Sequence, residues 1–190
     1  MKQTNIFIFI LLLIFMLFSG DLLYASQKKQ KVYVIPVSGT VEPGMAAYVK
    51  RALEEIKNET DAVFVFKMDT FGGRVDAALE IVDTISNVPK GKTIAFVEKR
   101  AISAGALIAL SSNLLFMKDN TIIGDCAPII QTQEGQKMAG EKIQTVLRAK
   151  FRALAKKNNY PVVLAESMVT IDMEVYQVTM DGKKSFINKK

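Results

Sequence analysis

The chemistry this chain could perform rests on one serine, two pairs of small residues and a lysine. Ser103 stands in Ala101-Ile102-Ser103-Ala104-Gly105, where an apolar run gives way to a helical pattern. A serine in that place is most often only a helix N-cap. Here, however, its hydroxyl would lie beside the N–H of Ala104, and a second segment, Asp69-Thr70-Phe71-Gly72-Gly73, ends in adjacent glycines. Such glycines let the backbone come close to a ligand and aim an N–H at it. Paired amides of Gly73 and Ala104 would form an oxyanion hole for acyl transfer from Ser103. The third segment is Gly140-Glu141-Lys142, which opens a helix. The positive end of the helix dipole disfavours a charged amine there, and desolvation against a serine site would act in the same direction. A neutral lysine can serve as a base, although a solvated lysine is the ordinary outcome of such a position. Lys137, a few residues earlier, is a second candidate for that role.

Composition narrows the mechanisms further. The chain contains no histidine, which excludes Ser-His-Asp and Cys-His catalysis and any histidine-ligated metal centre. Its single cysteine, Cys126, can neither close an internal disulfide nor hold zinc alone. A general base must therefore be lysine, aspartate, glutamate or tyrosine. No metal or cofactor is expected.

The elements that must position these residues follow from apolar periodicity. Val32-Tyr33-Val34-Ile35-Pro36-Val37 predicts a strand, with Ser38-Gly39-Thr40 as a turn. Val49, Ala52, Leu53 and Ile56 mark one helix face, and Val75, Ala78, Leu79 and Val82 another. Val63-Phe64-Val65-Phe66 predicts a parallel strand covered on both sides. Further strands are predicted over 93–97 and 114–117, and helices over 104–110 and along Ile143, Val146, Leu147, Phe151 and Leu154. This alternation predicts an α/β fold with a largely parallel sheet. Near the end, Asp181-Gly182 between two apolar segments predicts a hairpin.

The start of the chain reads differently. Residues 6–18 form an unbroken apolar run of thirteen after a short polar start with Lys2, and Ala25 ends a small-residue exit. Residues 1–25 are accordingly expected to be a signal peptide or, if uncleaved, an N-terminal membrane anchor. The remainder would then lie outside the cytoplasm. The formal charge is +6, but the lysines are scattered, so no nucleic-acid partner is expected and any attraction to anionic headgroups is weak.

Taken together, the run from Asp69 through Gly73 to Arg74-Val75-Asp76, then Ser103-Ala104-Gly105, then Ile123-Gly124-Asp125-Cys126-Ala127-Pro128 resembles the protease domain of the NfeD family. These are membrane-bound serine proteases of the ClpP class, encoded beside stomatin- or flotillin-like partners. The resemblance covers residues 31–190 and implies a ClpP/crotonase-like spiral of βαβ units behind the apolar leader. It implies Ser103 as nucleophile, Lys142 as base, Gly73 and Ala104 as oxyanion amides, and Phe71 and Gly72 along the substrate groove. Phe71 stands where the family usually carries proline. The resemblance further implies a homodimer, peptide substrates from apolar segments of membrane-associated proteins, and a protease domain truncated at its C-terminal end. A catalytically idle scaffold for a stomatin-like partner is the alternative. Thioester chemistry shares the oxyanion hole, but an export signal argues against a coenzyme A substrate.

Overall fold

The computed structural model describes residues 29–59, 61–89 and 91–189; the expected leader, residues 1–25, lies outside them. Residues 31–190 form one compact unit. Four strands, β1 (Val32–Val41), β2 (Val63–Gly73), β3 (Thr93–Ile102) and β4 (Leu114–Met117), lie side by side in that order, and β5 (Ile122–Gly124) also pairs with β3. Every pairing in this sheet is parallel. The crossovers are α1 (Pro43–Glu55), α2 (Val75–Ser86) and α3 (Ala104–Leu110). This is the predicted α/β architecture, and parallel neighbours need such crossovers because a tight turn cannot join them.

One face of the sheet is the core. Ile35, Val37, Phe66, Met68, Ala95 and Val97 alternate along their strands and are buried against Ala46, Val49, Ala78, Ile81 and Val82 of α1 and α2. The prediction of cover on both sides does not hold. On the opposite face Val34, Val65, Ile94 and Leu114 stand in register, and Val34 and Leu114 are exposed while Val65 and Ile94 are half-buried. β2 is thus an alternating strand although its sequence is continuously apolar.

Three further differences bear on the site. Ser38-Gly39-Thr40 is not a turn: β1 continues through it with a register shift at Gly39 and pairs Thr40 with Gly72 and Val41 with Gly73. β3 likewise runs on to Ile102, with a register shift that leaves Met68 opposite Val97 but Asp69 opposite Arg100. Ladder hydrogen bonds between neighbours outweigh the local preference of these residues for turns. After β5, a hairpin of β6 (Ile129–Thr132) and β7 (Gly135–Met138) precedes α4 (Glu141–Asn158) and the short α5 (Val162–Ser167). Along α4 the buried residues are Leu147, Phe151, Leu154, Ala155 and Asn158, whereas Ile143 and Val146 are exposed. Only the part of α4 from Leu147 onward packs on the core.

The C-terminal hairpin, β8 (Val175–Met180) and β9 (Lys183–Asn188), forms as predicted. Asp181 and Gly182 both have positive φ, 50° and 73°, as a two-residue hairpin turn of the favoured twist requires.

Phe66 is fully buried at the centre of the core. Phe66→Ala should destabilise the domain by about 3–5 kcal/mol, read by urea denaturation; a loss below about 1 kcal/mol would contradict this packing.

Candidate active site

Ser103 joins β3 to α3 with φ 54° and ψ −120°. Left-handed backbone is costly for a residue with a β-carbon and persists only where the surroundings hold it. Several bonds hold it here. The Ser103 N–H donates to the Gly124 carbonyl at 2.8 Å, and the Ser103 carbonyl accepts the Ala106 N–H at 3.0 Å. The Cys126 thiol donates to that same carbonyl at 3.3 Å, and the Cys126 N–H is tied to Met168 at 2.7 Å. The serine hydroxyl itself has no hydrogen-bond partner among the described residues. Ser103 lines a cavity of about 70 Å³ together with Gly73, Ala104, Cys126, Leu147 and Phe151.

The end of β2 closes on this turn from the other side. Gly72 has φ +98°, and a β-carbon there would fall 2.6 Å from that of Ser103, 2.8 Å from the Ile102 oxygen and 3.0 Å from the Ala104 nitrogen. A β-carbon on Gly73 would lie 2.2 Å from the Val41 oxygen. Both glycines are therefore dictated by contact as well as by backbone angle. Thr70, buried, fixes the loop by donating to the Gly39 carbonyl and accepting the Gly72 N–H at 2.9 Å. That bond engages the Gly72 amide. The Ala104 N–H, in the first turn of α3, has no carbonyl of its own helix to bind.

Phe71 is 69% exposed and does not line that cavity. Arg100 lies over its ring, 4.2 Å from guanidinium carbon to centroid, and bonds Asp69 at 3.1 Å. Lys99 reaches the other Asp69 oxygen at 3.2 Å. The register shift of β3 is what brings Arg100 opposite Asp69. Arg74 and Asp76 form a two-point pair at 3.0 and 2.6 Å beside Gly73. The hydrogen bond from Arg74, aided by the Ala77 N–H, draws the Asp76 carboxyl down to about 2.

Ser103, Ala104, Gly72 and Gly73 thus come together as predicted from their spacing. Lys142 does not join them. It is exposed at the second residue of α4, forms no hydrogen bond or ion pair among the described residues, and is absent from the cavity lining. At about 100° per residue it lies nearly half a turn from the Leu147 and Phe151 stripe. Lys137, on β7, is ion-paired with Glu134.

Cys126 is a structural participant that the sequence reading did not assign. Burial first, then the charge of Asp125, pushes its thiol up to about 12, so it remains a protonated donor rather than a nucleophile. The two residues before it, Gly124 and Asp125, both have positive φ.

The NfeD1b N-terminal domain family matches residues 31–188. This chain belongs to that family. Among relatives, the membrane protein NfeD1b of Bacillus subtilis (strain 168) is 35% identical over 162 residues, 84% of this chain and 36% of the relative. The membrane-bound protease PH1510 of Pyrococcus horikoshii is 30% identical over 151 residues, 77% of this chain and 34% of the relative. This NfeD1b-family chain therefore spans about a third of the length of the curated relatives it matches. Two solved structures of the membrane-bound stomatin-specific protease 1510-N share its fold at 30% identity. A serine-to-alanine mutant superposes with TM-score 0.69 over 76% of this chain and 72% of that one. A lysine-to-alanine mutant bound to a substrate peptide gives TM-score 0.69 over 76% and 68%. These likenesses assign the ClpP-like fold.

Gly72→Ala should destabilise the domain by roughly 1–3 kcal/mol through the strained backbone and the contact with Ser103; unchanged urea stability would contradict that geometry. Two groups also predict alkaline behaviour. Burial pushes the Tyr160 hydroxyl, which donates to the Ser112 carbonyl at 2.7 Å, up to about 12, as it does the Cys126 thiol. A folded value raised above the unfolded one gives stability that is complete below the unfolded value and is lost as pH rises through the folded one. Stability should therefore fall between about pH 9 and pH 12, and Cys126→Ala should flatten that fall. An unchanged slope in the variant would contradict the assignment.

Proposed function

We propose that this chain is the protease domain of a membrane-associated serine endopeptidase, with Ser103 as nucleophile and Lys142 as its base. The observation that carries the reading is the strained Ser103 turn, held with an unpartnered hydroxyl in a cavity walled by Gly73 and Ala104. The hydroxyl attacks a peptide carbonyl, its proton passes to Lys142, and the tetrahedral oxyanion is held by the Gly73 and Ala104 amides. The protonated lysine then donates to the departing amine, which leaves an acyl-enzyme on Ser103. Water activated by the same lysine releases it. Phe71 and Gly72 edge the substrate groove. Since Lys142 stands outside the cavity in the free chain, the first turn of α4 must bring it in when substrate or a second copy binds. Catalytic contacts are often loose before the substrate complex forms. Substrates are apolar segments of membrane-associated proteins of the stomatin or flotillin type, met on the extracytoplasmic face by a homodimer. Support comes from the family and from the fold shared with a stomatin-specific protease.

The position of Lys142 favours a second reading, a catalytically idle scaffold that binds a stomatin-like protein. A fluorophosphonate serine label separates the two. Wild type should be labelled, Ser103→Ala not at all, and Lys142→Ala at least ~100-fold more slowly. Folded wild type that takes no label would sink the peptidase reading and leave the scaffold.

A further inference from the structure

A second cavity lies away from Ser103, at the other end of the sheet. About 500 Å³ in volume, it lies where α1 ends, α2 ends and β2 begins. Its floor is apolar: Leu53, Ala62 and Phe64 are buried and line it, with Val88 beside them. Its rim carries Lys50, Lys57 and Lys92, which form no side-chain hydrogen bond or ion pair among the described residues. Two acids also line it, Glu54 and Glu59, but Glu59 is already engaged by Lys31 at 2.7 Å. The hydroxyl of Thr84 is turned away from the cavity's needs, since it donates to the Glu80 carbonyl at 2.8 Å. The site thus offers apolar contact inside and net positive charge at the mouth. Its volume falls within the range of about 300–1,000 Å³ typical of small-molecule sites.

Its place in the chain adds a second argument. The Lys31 carbonyl accepts the Val63 N–H at 2.9 Å, and Val32 pairs with Val63. β1, the first strand of the domain, therefore begins at this end of the sheet. We infer that the cavity binds an anionic amphiphile, with its aliphatic chain against Leu53, Phe64 and Val88 and its carboxylate or phosphate among Lys50, Lys57 and Lys92. Long lysine side chains suit this arrangement, because their methylene stems extend the apolar wall while the ammonium groups meet the headgroup. Charge complementarity and the apolar floor are both required by such a ligand. The inference does not depend on the Ser103 chemistry, which lies at the opposite strand ends.

The chain has no tryptophan, so Asn87→Trp at the exposed rim places a lone fluorophore there in the full chain. Dodecyl phosphate, kept below its micellar concentration, should shift that emission to the blue with saturation, and should raise the thermal midpoint of the unlabelled wild type. Dodecyl maltoside, with the same chain and no charge, should bind at least tenfold more weakly. The double variant Lys57→Glu, Lys92→Glu should weaken dodecyl phosphate at least tenfold while leaving fluorophosphonate labelling at the wild-type rate. Vesicles of phosphatidylcholine with and without phosphatidylglycerol then identify the source. A shift with the anionic vesicles as well as the free amphiphile assigns a membrane lipid, and a shift with the free amphiphile alone assigns a soluble fatty acid or phosphate ester. The absence of a saturable shift, or binding that is equal for both amphiphiles and indifferent to the charge reversal, would overturn the inference.

Discussion

The contact between Gly72 and Ser103 constrains everything around the site. Three strand ends converge there, and the space a β-carbon on residue 72 would need is already filled by Ser103, Ile102 and Ala104. With hydrogen in its place, the end of β2 lies against the turn that presents the serine. β1 is drawn out to pair with Gly73, and Thr70 can lock the loop between Gly39 and Gly72. On the far side, Gly124 and Cys126 hold the same serine through its backbone. A strained Ser103 is thus fixed by two independent segments, which is how a protein maintains a conformation that costs on the order of 1–3 kcal/mol.

Much of this was legible in the sequence where local chemistry and tertiary demand agree. The runs beginning at Val63 and Thr93 became central parallel strands, and Asp181-Gly182 became a tight turn, because nothing in the fold opposes those preferences. Ser38-Gly39-Thr40 was misread because its turn preference is overridden by pairing to β2, a partner remote in the chain. The β6–β7 hairpin was invisible for a different reason: Gln131, Gln136 and Lys137 interrupt its pattern, and neither face is deeply buried. Of the site, the glycines and the serine could be found from spacing. The roles of Thr70, Arg100 and Cys126 could not, since each depends on register that only the folded sheet defines.

Lys142 sits where α4 has not yet met the core. Around it, Ile143, Val146, Ile129, Ile130 and Met138 are all exposed, so an apolar surface adjoins the cavity that holds Ser103. Among the described residues nothing covers this surface. In the proposed mechanism, peptide substrate or a second copy buries it and draws the first turn of α4 inward. The same arrangement leaves Ser103 held by its surroundings and Lys142 unheld. The lysine-rimmed cavity, at the opposite end of the strands, is physically separate from that event.

The most direct test is a crystal structure of the chain carrying a peptidyl phosphonate on Ser103. The account predicts the phosphonyl oxygen within hydrogen-bond reach of the Gly73 and Ala104 amides, with Lys142 Nζ moved in to the Ser103 oxygen. An adduct whose oxygen meets neither amide, with Lys142 still in solvent, would contradict it.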